Sequence, residues 1–108
     1  MRFLVTILNT DPLTGSAGDV NRISSVSRFV NWDVLPRAGE TIFPFLSVYN
    51  RYKVSSVEHC LSMGYIEILC EEDTQVVLMG SLANEKDHWI VLTEANQYTF
   101  NAEIKKFL

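Results

Sequence analysis

The chain has 108 residues, 47% hydrophobic and 11% aromatic, enough for one domain (1–108) with one sizeable core and too few for two. A formal net charge of -4 and a pI of about 5.0 remove the overall attraction that drives non-specific phosphate binding, which demotes nucleic acid as a partner. Two cysteines, Cys60 and Cys70, supply no framework of the kind that staples small secreted domains, so free thiols and a reducing, cytoplasmic setting are expected.

Arg2 to Asn9 is rich in β-formers, lacks Gly and Pro, and reads as the first strand. Phe3, Val5 and Ile7 fall on one face and Leu4 and Leu8 on the other, the pattern of a strand covered on both sides. Thr6 and then Asn9-Thr-Asp-Pro12 interrupt this apolar run too early for a signal peptide, and no segment approaches the roughly 18 apolar residues of a membrane span. Asp11 to Asp19 is a cluster of turn-forming residues expected as an exposed loop. Its Gly15 and Gly18 lack the Gly-Lys-Ser/Thr ending of a phosphate cradle.

Two periods compete between Val20 and Leu35. Val20, Ile23, Val26 and Val30 have near-helical spacing, whereas Val26, Val30, Trp32 and Val34 share the parity of one strand face. Ser24, Ser25, Ser27 and Asn31 weaken the helix, so a strand over about 25–34, antiparallel to the first, is expected. Pro36 and Arg37-Ala38-Gly39 then form a tight corner, and a short strand over 40–43 is cut off by Pro44. Phe43, Phe45, Leu46, Val48, Tyr49 and Tyr52 crowd around that interruption. They form either an exposed contact surface or a plug for one end of the fold.

Strands over 52–59 and 65–71 form a hairpin if Leu61 to Gly64 is its turn. The register then pairs Cys60 with Tyr65, His59 with Ile66 and Val57 with Ile68, and sets Glu58 against Glu67. Val54 and Val57 are three residues apart, so both face inward only if Ser55-Ser56 absorbs one residue as a β-bulge. The pattern Leu35-Pro-Arg-Ala-Gly-Glu-Thr-Ile42, then Tyr52-x-Val-x-x-Val-x-His59 and Tyr65-x-Glu-x-Leu69, resembles small bacterial and phage-type β-barrel domains of unassigned function. Its Gly-Glu-x-Ile and Tyr-x-Val-x-x-Val parts are similar to the first strands of SH3-like barrels. The resemblance covers about a third of the chain. It implies a fold and brings no catalytic residues with it.

Glu71-Glu72-Asp73 reads as an acidic turn, and Val76 to Met79 as a buried strand or one turn of core helix. Residues 88–93 have strong β character and are expected as a further strand. Phe100, Ile104, Phe107 and Leu108 make one apolar stripe, which predicts a terminal helix over 96–107. The chain is therefore expected to be mainly β: a small antiparallel SH3-like barrel or a strongly curved sheet, with a C-terminal helix.

Chemistry-bearing residues are few. His59, Cys60, Cys70 and His88 are of the right types for zinc, but their intervals match no usual metal module, and the hairpin register places Cys70 opposite Ser55, far from His59. Adjacent His59 and Cys60 point to opposite faces, which defeats a nucleophile pair. Asp11, Asp19, Asp33, Glu40 and Glu58 read as solvated carboxylates. No catalytic residue, metal or cofactor is expected. The leading expectation is a non-catalytic protein-interaction or assembly module, itself a homo-oligomer or bound to a protein partner, with Arg37, Tyr49, Arg51 and Tyr52 gathered at one rim as the partner-binding set. The alternative is a single-stranded nucleic-acid-binding barrel that stacks bases on Tyr49, Tyr52 and Phe45 beside Arg37, Arg51 and Lys53. An enzyme with an unrecognised site comes third.

Overall fold

Period-two runs of β-branched and aromatic residues become six strands of a single sheet. The structure, a computed structural model, describes residues 1–8, 23–45, 51–72 and 85–93. The expectations for the Asp11–Asp19 loop, for residues 46–50 with Tyr49, for Val76 to Met79 and for the helix over 96–107 concern residues outside these. The strands are β1 (Arg2–Leu8), β2 (Ile23–Asn31), β3 (Thr41–Ile42), β4 (Tyr52–Cys60), β5 (Tyr65–Glu72) and β6 (Ile90–Thr93), with a short 3-10 turn at Lys86–His88.

The order across the sheet is β3-β4-β5-β1-β2-β6. β1 and β5 run parallel, and every other pair is antiparallel. Two expectations are corrected here. The sheet is mixed rather than antiparallel, because the β1–β2 pair and the β4–β5 hairpin meet side by side through β1 and β5. It also does not close into a barrel. Among the described residues its two end strands are β3 and β6, two and four residues long, and they do not pair with each other.

The two-faced apolar pattern of β1 places it at the middle, and every residue from Phe3 to Ile7 is buried. On one face Phe3, Val5 and Ile7 pack with Val26, Val54 and Ile68, and Phe45 and Trp89 join the same core. On the other face Leu4 packs with Tyr65 and Ile90, and Phe29 meets Tyr65 edge-on at 5.6 Å between ring centroids. That second face also buries two hydroxyls. Thr6 and Ser27 sit directly opposite each other and share a hydrogen bond of 2.8 Å, so each is the other's partner.

Pairing between β1 and β2 extends one step past the ladder, where the Trp32 N–H donates to the Met1 carbonyl at 3.0 Å. Beyond that step the chain leaves the sheet. Trp32 and Val34, expected to share one face of a strand reaching residue 34, are 53% and 62% exposed.

Two serines explain the three-residue apolar spacings in β2 and β4. In β4–β5 the ladder passes from Val54↔Cys70 to Ser56↔Leu69, leaving Ser55 as the extra residue of the anticipated bulge. In β2–β6 it passes from Ile23↔Thr93 to Ser25↔Leu92, leaving out Ser24. Each extra serine donates its hydroxyl to a carbonyl of the neighbouring strand, Ser55 to Leu69 at 3.0 Å and Ser24 to Leu92 at 3.1 Å. Val54 with Val57, and Ile23 with Val26, thereby reach the same core although three residues apart. The hairpin register is the anticipated one from Val57↔Ile68 to Cys60↔Tyr65. Beyond the bulge every pair shifts by one, so Cys70 opposes Val54 instead of Ser55, and Glu71 and Glu72 oppose Lys53 and Tyr52.

Candidate functional site: the β3–β4 edge

The corner before β3 is built by glycine. The Glu40 N–H donates to the Arg37 carbonyl at 3.1 Å. Gly39 at the third position of this turn has φ 93°, and among the described residues no non-glycine residue has positive φ, which is type II geometry. The Glu40 carboxylate closes the corner from outside by accepting the Arg37 backbone N–H at 2.6 Å. The corner is stitched to β4 by two bonds of 2.8 Å, Gly39 N–H to the Val54 carbonyl and Val54 N–H to the Glu40 carbonyl.

β3 then pairs Thr41 with Lys53 and Ile42 with Tyr52. Arg51 therefore lies at one end of β3 and the Arg37 corner at the other, along one edge of the sheet. β4 is nine residues long, and β3 with its corner covers it only as far as Val54. Among the described residues no strand pairs with the outer side of β4 from Ser55 to Cys60, and Ser55, Glu58 and His59 are exposed. Arg37, Arg51 and Lys53 are exposed beside this edge, and among the described residues none of the three forms an ion pair.

Of the four residues expected to gather at one rim, Arg37 and Arg51 are at the surface and Tyr49 lies outside the described residues. Tyr52 needs correcting: it is 0% exposed. It shares strand parity with Val54, and its ring lies 5.5 Å from Phe45, which in turn lies 4.8 Å from Trp89. A ring enclosed in this way stabilises the core and has no face to offer a partner or a base. The aromatic segment thus divides, with Phe45 and Tyr52 inside and Phe43 exposed.

Sequence reasoning missed Arg28. Its position opposite Val5 places a half-buried cation on the apolar face of the sheet, beside a cleft that has Trp32 and Phe43 in its wall. The signal was present as a charged residue sharing parity with Val26 and Val30.

The remaining reactive side chains are positioned for packing. Cys70 is buried in the core, and burial pushes its thiol up to about 12, far from the range where a thiolate forms at neutral pH. Cys60 lies against the opposite face with Leu4, paired across the hairpin with Tyr65, whose phenol is raised to about 12, chiefly by burial. Glu67 is held above the usual carboxylate range by burial first and by the facing Glu58 second. Among the described residues no three His, Cys, Asp or Glu side chains converge as a metal site, and no helix is long and apolar enough to cross a membrane. No protein-family model matches the chain, and no curated protein or solved structure matches it at significance.

Proposed function

We propose that the protein is a non-catalytic interaction module that takes up an extended segment of a partner polypeptide at the outer edge of β4. The observation that carries this reading is the stretch Ser55–Cys60, which no strand covers among the described residues, adjoining the point where β3 and its corner stop. An open edge presents backbone donors and acceptors in strand geometry, the template for strand addition. Arg37, Arg51 and Lys53 put positive charge at the β3 end of this edge while Glu58 is exposed within the bare stretch, so the segment that fits carries its acidic residues towards the β3 end. The arginines bring forks of donors that suit carboxylates. The partner is another protein or a second copy of this chain, and the two free thiols fit work in the cytoplasm.

The nucleic-acid reading loses support from the same geometry, because Phe45 and Tyr52, two of its three stacking rings, are buried. The test is affinity capture with the wild type and an Arg37→Glu, Arg51→Glu double variant, followed by amide hydrogen exchange on the complex. A partner lost by the variant, with new protection confined to 55–60, supports the module. A partner retained unchanged rejects this surface, and co-purified nucleic acid released by moderate salt rejects the protein partner.

A further inference from the structure

Arg28 sits where a charge is least comfortable. It projects from β2 on the face that buries Val26, opposite the buried Val5. Among the described residues it forms no ion pair. Asp87 and His88 line, with it, a second opening of about 250 Å³ without pairing with it. A partly desolvated guanidinium that forms no ion pair favours an anion brought from outside.

The larger opening beside Arg28 has the form of a small-molecule site. It is a cleft of about 420 Å³ with Phe3, Val5, Val30 and Ile68 from the sheet and Ile42 and Trp89 in its walls. That volume is within the range of about 300–1,000 Å³ typical of ligand pockets. Trp32 and Phe43 also line it, and each remains more than half exposed, 53% and 54%. These are flat faces open to a flat guest. Asn31 and Thr41 also line the cleft, so its polar groups are few and Arg28 is its one charge among the described residues.

We propose that this cleft binds a small aromatic carboxylate, with the ring between the Trp32 and Phe43 side chains and the apolar walls, and the carboxylate on the Arg28 guanidinium. The site is separate from the β4 edge, since no residue of β4 lines it.

Both tryptophans of the chain line the cleft, so their indole N–H signals report occupancy in a nitrogen-15 spectrum of the full chain. The probe is 2-naphthoate, with uncharged 2-naphthamide as its control. The acid shifts both indole signals saturably, with a Kd below about 1 mM for a ligand of this size. The amide binds at least about tenfold more weakly, as expected for loss of a charge-assisted bond. Arg28→Gln brings the acid down to the amide's affinity while the spectrum keeps its dispersion. If that variant does not fold, exposed Phe43→Ala replaces it and weakens the acid several-fold. Absence of saturable shifts, or shifts that bypass both indoles, overturns the site. Equal binding of acid and amide also overturns it and assigns the cleft to a neutral aromatic group, such as a partner's side chain.

Discussion

Arg51 and Tyr52 are neighbours in the chain with opposite surroundings, one exposed and the other enclosed by core. Tyr52→Ala is expected to cost about 3–5 kcal/mol in a urea titration, the usual range for emptying a buried aromatic site. Arg51→Glu is expected to stay within about 0.5 kcal/mol. Equal effects would contradict their placement. Glu67 gives a second residue-level outcome. Its folded carboxyl is raised above the ordinary glutamate value by burial and by Glu58. At low pH both folded and unfolded chains hold the proton, and the residue contributes no difference. As pH rises the unfolded chain releases its proton first, so stability falls until the folded carboxyl has also ionised, and the penalty then stays constant. Glu67→Gln should therefore be more stable than wild type at neutral pH by a few tenths to about 1 kcal/mol, the range for opposed like charges. Denaturant midpoints should show the gain shrinking towards zero near about pH 3, where carboxyls are protonated. A gain that grows on acidification would contradict the burial.

At the scale of elements, the β4–β5 hairpin was legible because it is local. Alternating apolar residues, a Gly-ended turn and one odd spacing determine its register and its bulge. Gly64 has φ 77°, and a Cβ added there would meet no atom within 4 Å, so backbone conformation alone decides what replaces it. Gly64→Ala should lower stability by about 1 kcal/mol and Gly64→Asn by clearly less, since Asn enters the left-handed region more readily. Identical thermal midpoints for the two variants would refute this. The parallel β1–β5 pairing was not legible, because strands separated by so much chain carry no local mark of their alignment. β2 was only half legible, since a bulged strand and a helix both space apolar residues by three. At the candidate site the exposed arginines could be read from the turn chemistry around them. The burial of Tyr52 follows from its parity with Val54, a cue that the excess of aromatics in the same segment obscured. The Arg28 cleft depends on where the 32–44 connection crosses the sheet, which periodicity does not encode.

At the scale of the whole molecule, an open sheet whose β4 has a stretch left bare among the described residues, together with exposed Trp32, Val34 and Phe43, motivates self-association. Light scattering at high concentration should give a mass above the 12.3 kDa of one chain, and a single-chain mass throughout would sink the expectation. The serine at the β4 bulge has a consequence for how this chain tolerates changes in its length. Ser55 is skipped by the ladder, so removing it brings Val54 and Ser56 together while Cys70 and Leu69 keep their partners. The shortened protein should keep the cross-strand proton contacts of Val57 with Ile68, and loss of those contacts would disprove the point. What it gives up is the kink, and a straighter edge self-pairs more readily. One deletable residue thus leaves the register of the hairpin untouched and sets the bend of its edge strand.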